Sequence, residues 1–309
     1  MEKMATRQAY GKGLVEFGEK YNELVVMDAD LSKSTMTAEF GKAYPERFFN
    51  MGIAEQNLYG TAAGLAASGK IVCASTFAMF ATGRAFEIIR NSIGYGNLNV
   101  KICATHAGIT VGEDGGSHQT FEDIALMRTI PNMVVLNPSD GVSAKKLLEA
   151  AILHKGPVYL RLGRAAVPIV YDENDEVQIG KGKELKVGND ITFVATGIMV
   201  AEALEAARIL AEEGIEARVI DIHTIKPIDQ EIIIKAAKET KGIITCEEHS
   251  VIGGLGEAVA HVLAENYPQK IKMVGQMDCF GESGKPEELK EKYGMTYKNI
   301  LSKAKELLA

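Results

Sequence analysis

Tryptophan is missing from the 309 residues, there are only 8 prolines and 4 cysteines, and basic residues fall short of acidic ones. Each shortage excludes something. Cys73, Cys103, Cys246 and Cys279 lie far apart and form no CxxC pair, which speaks against a zinc site or a disulfide framework and fits a reducing compartment. Lys and Arg total 34 against 41 Asp and Glu, a net charge of -7. A surface of that sign does not neutralise phosphate backbones, so nucleic acid is excluded as a general partner. A few converging cations would still hold a small anion. The opening MEKMATRQAYG lacks the apolar core of a signal peptide. The stretch from Gly60 to Gly83 is interrupted by Lys70 and is rich in Gly, Ala, Ser and Thr, so no membrane span is expected. DxDxDG, HExxH and GxxxxGK[ST] are all absent, which leaves no calcium loop, zinc-protease helix or P-loop. The expectation is a cytoplasmic protein with no metal ligands of its own.

What is present is an alternation. ELVVMDAD, KIVCAST, NVKICATH, NMVVLNP and PVYLRLG have the length and apolar texture of buried strands. RQAYGKGLVEFGEKY, IAEQNLYGTAAGLAAS, ATGRAFEIIRNSIGY and DGVSAKKLLEAAILH between them read as helices. A charged, Gly-containing stretch follows Val170, and then a second alternating set from DITFVATG onward. This predicts two doubly wound α/β domains with mostly parallel sheets. They span 1–170 and a smaller 189–309, joined by a linker at 171–188 that holds a short hairpin. Sites in such folds gather at the carboxyl ends of strands. Asp28, Asp30, Thr76, Phe77 and His106 all fall there.

GEDGGSHQ, residues 112–119, is the most unusual stretch. Its acids are adjacent rather than spaced for a metal, and it has no lysine for a phosphate cradle. By itself it reads equally as a surface loop whose His118 caps the next helix. Its place after NVKICATH moves it to the sheet edge where sites form. NMGIAEQNLYG puts Glu55 in the first turn of a helix, where the dipole favours an acid. That helix then carries Gly60, Ala62, Ala63, Gly64, Ala66 and Ala67. Each Gly costs up to about 1 kcal/mol relative to Ala, so close approach of another backbone is expected to offset it. Phe77 and Phe80 follow a strand and by spacing alone are core residues. VIGGLGEAVA does not keep the GxGxxG spacing of a nicotinamide loop.

GIAEQN, STFAMF, THAGITVGEDGGSHQTFEDIALMRTIPNMVVLNPSD and EEHSVIGGLGEA together resemble the C-terminal half of transketolases, over nearly the whole chain. The resemblance implies a pyrimidine-binding domain followed by a transketolase-type C-terminal domain, with thiamine diphosphate and Mg2+ as cofactors. Glu55 then matches the glutamate that bonds N1′ of the cofactor's aminopyrimidine. In an apolar pocket it shares its proton with the ring and favours the imino form that takes the thiazolium C2 proton. Phe77 and Phe80 match aromatics packed on that ring, and Asp30 an acid near the thiazolium. Arg7, Ser34, His106 and Arg164 match the sugar-phosphate clamp, read as two guanidiniums and an imidazole supplying local positive charge. Asp114 and His118 match groups that bond the substrate hydroxyls, His118 also acting in catalysis, and the loop glycines would let backbone approach the sugar. Gly83 stands where the family typically has a third aromatic, which would leave one wall open.

The family's GDG motif for magnesium and diphosphate, with its downstream Asn, occurs nowhere in the sequence. The expectation is therefore the C-terminal subunit of a split transketolase in the pentose phosphate pathway, moving a two-carbon ketol unit between sugar phosphates. A partner chain would carry GDG and bind most of the Mg2+, in a heterotetramer. A portion of deoxyxylulose-phosphate synthase, a 2-oxo acid dehydrogenase β subunit and a non-catalytic assembly subunit are the alternatives.

Overall fold

Alternating apolar segments pair here as their lengths dictate. The computed structural model describes residues 2–309. Its strands are β1 (Lys3–Ala5), β2 (Leu24–Asp28), β3 (Phe48–Asn50), β4 (Ile71–Phe77), β5 (Val100–Thr105), β6 (Val134–Leu136), β7 (Val158–Arg161), β8 (Ala166–Pro168), β9 (Lys183–Lys186), β10 (Ile191–Ala195), β11 (Ala217–Asp221), β12 (Thr224–Lys226), β13 (Ile243–Ser250) and β14 (Ile271–Gln276). Seven form one sheet in the order β12-β6-β7-β5-β4-β2-β3 and five form a second, β14-β13-β10-β11-β9. Every pairing within these sheets is parallel except β12 on β6 and β9 on β11.

Strands buried on both faces need helices on both sides. On the first sheet, Thr6–Lys20 and Gly141–Leu153 cover one face, packing Leu14, Leu147 and Leu148 with Val26, Leu136 and Leu160. Glu55–Ala67 covers the other, packing Leu58, Tyr59 and Ala62 with Met27, Val72 and Ile102. The second sheet is sandwiched the same way. Met199–Glu212 and Tyr297–Leu308 lie on one side, and Gln230–Glu239 and Leu255–Asn266 on the other. The architecture is doubly wound α/β twice over, as expected.

Three local expectations change. The 171–188 stretch forms no hairpin of its own, because β9 instead pairs with β11 as the edge of the second sheet. The HTIKP stretch leaves the second unit, and its strand β12 extends the first sheet with Thr224 opposite Leu136 and Lys226 opposite Val135. The helix expected over ATGRAFEIIRNSIGY widens into π-type turns at Phe80–Arg84 and Ile89–Gly94. Thr82 Oγ1 donates to the Ala78 carbonyl at 2.8 Å, a back-bond that competes with regular α-helical pairing.

Candidate active site

Four neighbouring strands deliver the expected residues to one sheet edge. β2 ends at Asp28, just before Asp30; β4 ends on Phe77; β5 ends one residue before His106; β7 ends three before Arg164. The centre of this edge is aromatic. Phe77 stacks on His106 with ring centres 3.9 Å apart, and Phe80 lies 6.0 Å from Phe77, inclined by 19°. His118 stands edge-on to both, 5.3 Å from Phe80 and 6.2 Å from Phe77. It does not cap the following helix, Asp123–Thr129, which has no side-chain cap.

His106 sits at φ +58° with Nδ1 2.8 Å from Thr105 Oγ1. Burial, then the charges of Arg7 and Arg164, push its pKa down to about 3. The ring is therefore neutral near pH 7, which corrects the expectation that it adds positive charge. The cations are Arg7 and Arg164. Arg7 Nη1 donates to the Ser34 carbonyl at 2.7 Å, and its Nε is buried without a partner. Ser34 thus meets Arg7 through its backbone. Arg7's own pKa is lowered, by burial and by Arg164. Arg164 Nη1 donates to the Val111 carbonyl and, at 2.8 Å, to Glu113 Oε2. Two guanidiniums, one with an unused buried N–H, form a site that seeks an anion.

Glu55 opens its helix and is 2% exposed. Arg84 Nη1 donates to its Oε2 at 3.1 Å, and the Arg84 guanidinium lies 5.0 Å from the Phe80 ring centre. The wholly apolar pocket expected for this carboxyl is thus a partly cationic one. At Gly83, an added Cβ would lie 2.6 Å from Met79 Cε. Met79 Cε thus occupies the space beside Gly83, and the Arg84 guanidinium stands over Phe80.

Two expected residues stand less close to this cluster. Asp114 ends the 3-10 turn Ile109–Asp114 and is exposed. Asp30, at φ +65°, exchanges two hydrogen bonds with Asn50, of 3.1 and 3.2 Å, and none with the aromatic residues. Asp28 is buried and accepts from Leu31 N–H, Thr35 Oγ1 and Thr37 Oγ1, which fixes the turn carrying Ser34. Arg84, Glu113 and the roles of the loop glycines escaped sequence reasoning. Arg84 and Glu55 are 29 positions apart and carry no periodic signal of their pairing.

Among the described residues no group of three metal-ligating side chains occurs, and no helix is long and apolar enough to cross a membrane. Comparison with known proteins supplies the context for this edge. Residues 2–170 match the transketolase pyrimidine-binding domain, and residues 180–300 the transketolase C-terminal domain. A putative transketolase C-terminal section of Methanocaldococcus jannaschii is 55% identical, over 97% of this chain and 95% of its own. A 6-deoxy-6-sulfo-D-fructose transketolase subunit of a Clostridium species is 43% identical, over 99% of this chain and 95% of its own. A split-gene transketolase solved as an inactive β4 tetramer superposes with a TM-score of 0.93 at 56% identity, over 99% of this chain and 98% of that one. Of the human transketolase the chain spans only 47%. A chain matched end to end by these C-terminal sections and subunits, and by half of a full-length enzyme, belongs to the transketolase family, of which it carries the pyrimidine-binding and C-terminal domains.

Proposed function

We propose that this chain is the C-terminal subunit of a split transketolase that transfers a two-carbon ketol unit from a ketose phosphate to an aldose phosphate. The observation that carries the reading is the buried Glu55 carboxyl, linked through Arg84 to the Phe77–Phe80 pair, in a chain without GDG. The pyrimidine half of thiamine diphosphate fits these residues, since they offer flat aromatic rings and a carboxyl in which Arg84 engages only Oε2. The diphosphate half does not fit, because the chain offers neither the motif nor a ligand cluster for Mg2+ among the described residues.

Bound thiamine diphosphate would supply the nucleophilic carbon for carbon–carbon bond cleavage. Glu55 would hold a proton at the pyrimidine nitrogen, Phe77 and Phe80 would position the ring, and Asp30 would serve as the acid near the thiazolium. Arg7, Ser34, His106 and Arg164 hold the substrate phosphate, with His106 acting as a neutral hydrogen-bonding ring. Phosphate entry would displace Glu113 from Arg164, an exposed pair of low cost. Asp114 and His118 bond the hydroxyls next to the cleaved bond.

A partner subunit with GDG and a downstream Asn completes the site, in a heterotetramer. Gly60 and Gly64 support an uncovered docking face, since a Cβ at either would meet nothing within 4 Å. Ile53, 78% exposed, lies just before the same helix. The test is an assay of ketol transfer from xylulose 5-phosphate to ribose 5-phosphate, with thiamine diphosphate and Mg2+, on the natively isolated complex and on the lone chain. Transfer by the complex alone, with a GDG-bearing chain co-purifying, is expected. Transfer by the lone chain would overturn the partner requirement, and none in either would overturn the function.

A further inference from the structure

We infer that the second α/β unit is the mould in which the loop 108–119 is shaped, and that Glu248 is the positioning residue for Asp114 and His118. The inference rests on the function proposed above. It begins with the loop glycines, which were expected to make room for sugar. They face the second unit instead. A Cβ at Gly115 would lie 2.3 Å from Ser283 Oγ, one at Gly112 3.1 Å from Pro286 Cγ, and one at Gly116 3.1 Å from the Gly281 carbonyl. The approach is reciprocal, since a Cβ at Gly281 would lie 2.0 Å from Gln119 Oε1. Gln119 Nε2 donates to the Glu282 carbonyl at 2.9 Å.

The start of the loop is fixed by a buried carboxyl. Glu248, near the end of β13, is 3% exposed, and its Oε1 accepts the Thr110 N–H at 2.7 Å. Gly108 passes so close that a Cβ would lie 2.2 Å from Glu248 Cδ, and its φ of +80° independently demands glycine. The far end of the loop is tied to the same strand, with Ser250 N–H donating to the Phe121 carbonyl at 2.9 Å. Arg161 joins both ends, donating to the Glu248 carbonyl at 2.9 Å and to both carboxylate oxygens of Asp123. The front of the loop carries Asp114 and His118, and its back is shaped by residues of a unit that contributes no group to the aromatic cluster. Shifting such a loop by an ångström is enough to spoil a near-attack geometry.

The prediction separates substrates by what the loop reads. Ketose phosphates carry hydroxyls beyond the transferred two-carbon unit, and hydroxypyruvate carries none. In the assembled complex, Glu248→Ala lowers kcat/KM for xylulose 5-phosphate about 10- to 100-fold, the loss expected for a hydrogen bond to a charged group. Hydroxypyruvate is affected less than about threefold. Glu248→Gln keeps a neutral acceptor for Thr110 and restores part of the loss. Gly281→Ala, which leaves the carboxyl network intact and pushes on Gln119, gives the same split if Glu248→Ala does not fold. Hydrogen exchange reads the loop independently of any reaction. Amides of 109–119 exchange faster in either variant while those of 100–105 are unchanged. Equal losses for both donors, or unaltered loop exchange, would overturn the positioning role. Absence of transfer by the wild-type complex would overturn the function and leave the exchange result to decide the mould.

Discussion

The ion pair between Asp123 and Arg161 can be broken on purpose, and its surroundings set the cost. Asp123 is fully buried and Arg161 is 3% exposed. Arg161 Nε donates to Asp123 Oδ2 at 2.7 Å, Nη2 to Oδ1 at 3.2 Å, and Tyr159 OH to Oδ2 at 2.6 Å. Asp123→Ala leaves a guanidinium in the interior with one carbonyl partner, that of Glu248, and a phenol with none. Stranding a buried charge costs about 3–5 kcal/mol. With a urea slope of about 3 kcal/mol per molar, the midpoint falls by roughly 1.3 M. Urea titration followed by far-UV circular dichroism measures this, since no tryptophan is available for fluorescence. Asp123→Leu combined with Arg161→Met removes both charges and should recover most of the loss. Burial alone would raise the Asp123 pKa, but Arg161 and the neighbouring donors outweigh it and hold it below the usual value. Its contribution is therefore complete above about pH 4 and is lost as the pH falls through the lower folded value. A single-variant loss under about 1 kcal/mol, or a double variant as weak as the sum of the singles, would refute this reasoning.

Glu55→Ala in the assembled complex should abolish nearly all turnover without lowering its urea midpoint by more than about 1 kcal/mol equivalent; full activity would remove the catalytic assignment. Arg164→Ala should raise KM for phosphorylated donors far more than for unphosphorylated ones, and equal effects would dismiss the clamp. His106, with its pKa at about 3, should show no imidazole titration between pH 5 and 8 by NMR. Because the unfolded ring binds a proton below about pH 6.5 and the folded one does not, its contribution to stability falls as the solution is acidified from there toward 3.

Much of this architecture is legible in local sequence. Runs such as LVVMD and VKICAT become central strands buried along their whole length, covered by helices on both faces, and the positions just after them become the site. Glu55 is legible as a first-turn acid. What escapes is whatever depends on remote pairing. Nothing near STFAMF announces that Arg84 will reach Glu55, or that His106 will be kept neutral by burial, with two arginines from other segments adding to it. The glycines of GEDGGSHQ signal close approach, but the approaching partner lies some 165 residues on, at 281–286. HTIKP reads as part of the second alternating unit, and only the free edge of β6 explains why it leaves.

That borrowed strand also imposes an order in time. The first sheet's β7 emerges from the ribosome at Arg161, yet β12, which covers the outer side of β6, begins only at Thr224. At about 5–20 residues per second, the β6 edge waits for roughly 3–13 seconds with its hydrogen-bonding groups unpaired. Lys226 then closes the wait by donating to the Arg128 and Ile130 carbonyls as well as joining the sheet. A chain interrupted in the linker would be born with that edge permanently open. Nascent chains arrested at residue 190 should therefore be held by chaperones or self-associate, whereas those arrested well beyond residue 226 are released.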